Sequence, residues 1–162
     1  MGKVQEIPVS LPHPVLPDSD WADAWQVITP KPFSNSRAAA EAIVSSFPRW
    51  TYAALALRQL LVAPFGLKGG ASQSASTDSV GIFPVTQQTR DRLVAGFDDK
   101  HLDFRIVVDL DQAGGGQAVT LTTVIRRHNR LGRTYLALIM PFHRAIIRST
   151  LTTCQRRAVR SE

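Results

Sequence analysis

Residues 101–128 read HLDFRIVVDLDQAGGGQAVTLTTVIRRH, two alternating runs on either side of Ala113-Gly114-Gly115-Gly116. The glycines can adopt the positive φ angles that a tight hairpin connection needs. If Gln112 faces Gln117, then Leu110 faces Val119, Val108 faces Leu121, Ile106 faces Thr123 and Phe104 faces Ile125. That face is almost wholly apolar. The opposite face pairs Asp109 with Thr120, Val107 with Thr122, Arg105 with Val124, Asp103 with Arg126 and His101 with His128. A slip of one residue would mix the two faces, so the pattern itself sets the register. Asp103 opposite Arg126 predicts a favourable cross-strand pair of about 0.2–1 kcal/mol.

Working outward, the acidic turn Gly96-Phe97-Asp98-Asp99-Lys100 ties the hairpin to a preceding strand over 89–97. Before it, Val80 to Thr86 alternates as a short strand, with Pro84 marking an edge or a bulge. After the hairpin, Asn129-Arg130-Leu131-Gly132 reads as a turn. Arg133 to Met140 could then begin a long helix or form a last strand. The strand is the expectation, because Pro141 inside a helix costs roughly 3 kcal/mol but is tolerated at a first helical position. The final helix would then run from Pro141 to about Arg157. Phe142, His143, Ile146, Ile147, Thr150, Leu151 and Cys154 share one side of it, and Arg144, Arg148 and Gln155 the other.

On the N-terminal side, four prolines within residues 1–20 predict an extended arm, lying on the domain or mobile. Trp21 to Thr29 reads as a first strand. Ser34 or Ser36 can cap a helix over 37–47. Pro48 suits the start of a second helix reaching Val62, with Tyr52, Leu55, Leu57, Leu60 and Leu61 as its apolar stripe. Residues 68–79, rich in Gly, Ser, Ala and Thr, predict a mobile loop. The fold class expected is therefore α+β. A curved antiparallel sheet of about six strands wraps a C-terminal helix, with two short helices after the first strand. Residues 1–20 form the arm, 21–158 a single domain and 159–162 a tail.

Composition bounds the function. The chain has 162 residues, 44% of them hydrophobic, and one cysteine, Cys154. That suffices for one packed domain and excludes an internal disulfide framework or a multi-cysteine metal site. No cationic start leads into an apolar run, and the apolar stretch 53–67 is interrupted by Arg58, Pro64 and Gly66. A soluble cytoplasmic protein without a membrane span is expected. The net charge of +6 is uneven: residues 112–162 hold nine Arg and only Glu162. Such a bias can mark a nucleic-acid surface. The arginines are dispersed, however, without interleaved aromatics, so a solvated helix face is expected and nucleic acid is not.

The ordered set Ala22-Asp23-Ala24-Trp25, Pro48-Arg49-Trp50, Phe65-Gly66-Leu67-Lys68, Gly81-Ile82-Phe83-Pro84-Val85, Gly96 to Arg105, His128-Asn129, Gly132-Arg133-Thr134-Tyr135 and Pro141-Phe142-His143-Arg144 resembles the domain-of-unknown-function 2867 family. The order of elements resembles, more broadly, the helix-grip fold of the START-like superfamily, which includes polyketide cyclases and the birch-pollen allergen. The resemblance implies a sheet gripping a helix, often around a cavity, with no established activity. Some members are similar to a tail behind a short-chain-dehydrogenase-like domain, which implies such a reductase as a partner. The chain has no Gly-x-Gly-x-x-Gly turn after a strand to bind a dinucleotide itself.

Two groups of residues could carry chemistry. His101, Asp103, Arg105, Arg126 and His128 would share the polar face of the hairpin, as an anion-binding or acid–base cluster or simply as a solvated sheet face. His143 beside the apolar helix stripe could reach a cavity. Metal ligation by His101, His128 and His143 lacks a supporting spacing, and no cofactor is implied. The leading expectation is a non-catalytic domain that binds a small hydrophobic molecule between sheet and helix, lined by Trp50, Phe104, Ile106, Leu138, His143 and Ile147. The alternatives are an accessory domain for a dehydrogenase-like reductase, and a cyclase- or dehydratase-like lyase using His143 or the Asp103 cluster.

Overall fold

The computed structural model describes residues 3–51, 78–99 and 101–160. Among the described residues, seven strands form one sheet: β1 (Gln5–Ile7), β2 (Trp21–Thr29), β3 (Ser79–Val80), β4 (Phe83–Gln88), β5 (Arg92–Asp98), β6 (Leu102–Ala113) and β7 (Gly116–Arg127). Helix α1 (Ser36–Ser45) follows β2, and α2 (Arg130–Arg160) follows β7. The sheet order is β1-β2-β7-β6-β5-β4-β3, and every pairing is antiparallel. The chain is thus α+β, a curved sheet gripping a C-terminal helix, with seven strands where about six were expected.

The central hairpin has the register set by its apolar pattern: Gln112 faces Gln117, Val108 faces Leu121 and Phe104 faces Ile125. The same alternation continues across the sheet. Leu93 and Ala95 of β5 face Val108 and Ile106, and Trp25 and Val27 of β2 face Leu121 and Val119. These side chains form the inner face. It is packed by Ala39, Ala40 and Ile43 of α1 and by Ile147, Leu151 and Cys154 of α2.

The outer face is less solvated than the hairpin's polar pattern suggests. Val94, Val107 and Val124 form a second buried cluster there, closed by Leu16 and Val15 of the N-terminal arm. The arm is tied down at several points. Its β1 pairs with β2, Asp20 accepts from the Arg127 guanidinium at 3.0 Å, and Asp18 lies 3.2 Å from Arg126. Arg126 therefore turns to the arm and not to Asp103, the partner expected from register alone.

Several local expectations are corrected. Arg133 to Met140 is helical: α2 runs through Pro141 without a break in assignment. A proline at that position removes the donor for the carbonyl of Ala137. Both Ala137 and Pro141 face solvent, where water can take the bond, so the penalty used to prefer a strand is relieved. With α2 starting earlier, its buried side also differs. Phe142 is 58% exposed and Gln155 is 2% exposed, its amide donating to the Ile28 carbonyl at 2.7 Å. Asn35, not Ser34 or Ser36, caps α1, accepting from the Ala38 N–H at 2.9 Å. The Ser36 hydroxyl instead donates to the Thr89 carbonyl. The expected strand over 80–86 divides at the turn Gly81-Ile82, and β5 starts at Arg92 because Thr89 and Arg92 close a turn. Residues Arg49 to Thr51 are helical, and the rest of the expected second helix, with residues 68–77 of the expected loop, lies outside the described residues.

Candidate functional site

The inner face is not filled everywhere by the two helices. Between β4–β7, α1 and α2 lies a cavity of about 350 Å³. Its wall is overwhelmingly apolar and includes Phe83, Leu93, Phe97, Phe104, Ile106, Val108, Leu121, Ile125 and Ile147. The aromatics form one layer: Phe104 packs against Phe83 and Phe97 at ring-centre distances of 5.8 and 5.5 Å. The layer follows from register, since Phe97 and Phe104 are directly paired across β5 and β6 and project to the same side.

A polar chain that includes His143 interrupts this wall. His143, midway along α2, lines the cavity and places Nε2 2.9 Å from Oδ2 of Asp23. Asp23 is 5% exposed and also accepts from Trp25 Nε1 at 3.0 Å. The Trp21 ring meets the His143 ring edge-on, with centres 5.9 Å apart. Strand alternation explains the grouping. Trp21, Asp23 and Trp25 are two residues apart on β2, so all three point inward, and α2 crosses them. From α2, the Arg148 guanidinium also lies over the Trp25 ring, 5.3 Å from its centre.

The expected site residues are distributed as follows. Phe104, Ile106, His143 and Ile147 are on the cavity wall. Leu138 is not: it is 71% exposed, because it sits on the solvent side of α2 and not on an inward-facing strand. Trp50 is 45% exposed. The five polar residues do not converge. His128 Nε2 lies 2.9 Å from Asp103 Oδ1, Arg105 pairs with Asp98 at 2.7 Å, Arg126 turns to Asp18, and His101 bonds Asn129 at 2.9 Å. They form separate pairs along the outer face and the strand ends. His128 and His143 are on opposite sides of the sheet, so they cannot share a metal with His101. Cys154 is buried, and burial pushes its thiol up to about 11, which removes it as a nucleophile near neutral pH.

Asp23 was the residue the sequence reading did not weigh. The signal was present. Trp21, Asp23, Trp25 and Val27 keep strand alternation, and an acid in that series must face the core and find a donor. What the sequence could not supply was the donor, His143, which lies 120 residues away.

Residues 15–150 match the family model described as "Protein of unknown function (DUF2867)". No curated protein matches the chain. The match runs from the arm's Val15 through the β-meander to Thr150 of α2, and so takes in the cavity wall and both members of the Asp23–His143 pair. The chain belongs to the DUF2867 family.

Proposed function

We propose that this chain binds a small, largely apolar molecule in the space between the sheet and α2, without catalysing a reaction on it. The observation that supports this most is the cavity of about 350 Å³ with an almost continuous apolar wall. Pockets of this size and lining suit small organic ligands. Filling it with the protein's own side chains would have gained dispersion and removed the cost of an empty space. The architecture also supports grouping the chain with the START-like superfamily.

The lyase alternative has lost one of its two candidate centres, since Asp103 faces the outer side and is occupied by His128. Only His143 reaches the cavity. A dehydrogenase-like partner is supported by the resemblance alone, and a pull-down lacking any such enzyme would argue against it. A cytoplasmic setting is supported by the single, buried cysteine. Among the described residues no helix is long and apolar enough to cross a membrane.

Binding can be tested with 1-aminoanthracene, whose fluorescence rises in apolar surroundings. Saturable binding of one equivalent is expected. Ile106→Trp should fill the space and reduce that binding by about tenfold or more while the fold is retained. Unchanged binding in the folded variant would contradict the assigned location.

A further inference from the structure

The Asp23–His143 pair says what the apolar ligand must also carry. Asp23 presents a carboxylate to Nε2 of His143, at 2.9 Å from Oδ2 and 3.1 Å from Oδ1. A carboxylate accepts, so the proton of a neutral imidazole sits on Nε2. Nδ1 is then left with a lone pair, and no hydrogen bond to Nδ1 is formed among the described residues. His143 is one of the residues that line the cavity. Thr51 supplies a second observation. It lines the same cavity, is 5% exposed, and its Oγ1 is buried with no hydrogen-bond partner among the described residues. A buried polar atom left unmet costs about 1–3 kcal/mol, which a bound polar group removes.

We infer that the molecule taken into this cavity is an apolar compound bearing a hydroxyl group, phenolic or alcoholic, whose O–H donates to Nδ1 of His143. This rests on the binding function proposed above. The resulting chain runs from ligand O–H to Nδ1, and from Nε2–H to Asp23, which also accepts from Trp25 Nε1. His143 touches the ligand. Asp23 and Trp25 are positioning residues, holding the ring in the tautomer that accepts. A site built to receive a hydroxyl rejects the analogue lacking it more strongly than an apolar pocket distinguishes two hydrocarbons.

The test compares 2-naphthol with 2-methylnaphthalene, which has nearly the same shape but no donor, by calorimetric titration of the full chain. Wild type should prefer 2-naphthol by about tenfold, the worth of one well-placed hydrogen bond. His143→Phe should bring the two affinities within about twofold of each other. Asp23→Asn can donate its amide to Nε2 and move the ring proton to Nδ1, so the preference should fall although His143 is intact, because a phenolic oxygen accepts more weakly than its O–H donates. Long-range proton–nitrogen NMR correlation on wild type should show Nδ1 of His143 unprotonated, and this needs no variant to fold. Equal affinities of wild type for the two probes, or a proton on Nδ1, would overturn the inference and leave cavity binding standing. Failure of both probes to bind would overturn the binding function and the inference with it.

Discussion

A methyl group on Gly96 would overlap the carbonyl oxygen of Phe104 on the neighbouring strand. The glycine is therefore a packing requirement of the β5–β6 pairing that builds the aromatic wall of the cavity. Gly96→Ala should cost on the order of 2–4 kcal/mol, because the clash is with backbone and cannot be relieved by a rotamer change. Urea denaturation would read this as a lower midpoint. Thr150 is the reverse case. It is fully buried on α2 and its hydroxyl has no hydrogen-bond partner among the described residues. Thr150→Val keeps the shape and removes the unmet group, so about 1 kcal/mol of added stability is expected. Thermal unfolding of a chain this size would register it as a rise of roughly 2–4 °C. Residues of this kind were only partly legible in advance. The alternation around Asp23 was visible in the sequence, whereas the unmet hydroxyl of Thr150 depends on which atoms α2 brings near it.

At the scale of elements, the strands were the most legible part, because period-two patterning with one buried face tolerates no slip. The helix that grips them was read too short. The sequence shows the cost of an internal proline at Pro141 but not that its turn faces water, which lessens that cost. The missing bond is nevertheless real, and Pro141→Ala should stabilise α2 by about 1–3 kcal/mol. Equilibrium unfolding followed by far-ultraviolet circular dichroism would test this, and an unchanged or lower midpoint would contradict it. The arm was equally hard to place from sequence, since the contacts that dock it on the sheet are long-range. Its His13 Nδ1 accepts from the Val15 N–H at 3.3 Å, and burial, then neighbouring Arg92, lowers the His13 pKa from its ordinary 6.5. The unfolded or detached arm thus takes up the proton first as pH falls. The arm's anchoring is complete above pH 6.5 and weakens as pH drops through and below that value. Protection factors for the Val15 and Leu16 amides should fall between about pH 7.5 and about pH 5.5, and His13→Gln should remove most of that dependence.

For the whole molecule, part of the uneven charge is used internally: four of the nine arginines of residues 112–162 make contacts within the fold. Arg126 and Arg127 fasten the arm through Asp18 and Asp20, Arg148 covers Trp25, and Arg157 reaches the Ser45 carbonyl at the end of α1. The basic C-terminal third therefore holds the arm, the first helix and the sheet together. What remains without an internal use is the cavity on the inner face, with its single histidine–carboxylate chain. The most direct measurement is methyl NMR on isoleucine-labelled protein titrated with 2-methylnaphthalene. Saturable shifts are predicted at Ile106, Ile125 and Ile147, which line the cavity, and none at Ile7 and Ile28, which do not. Absence of saturable shifts, or shifts confined to Ile7 and Ile28, would contradict a binding cavity between the sheet and α2.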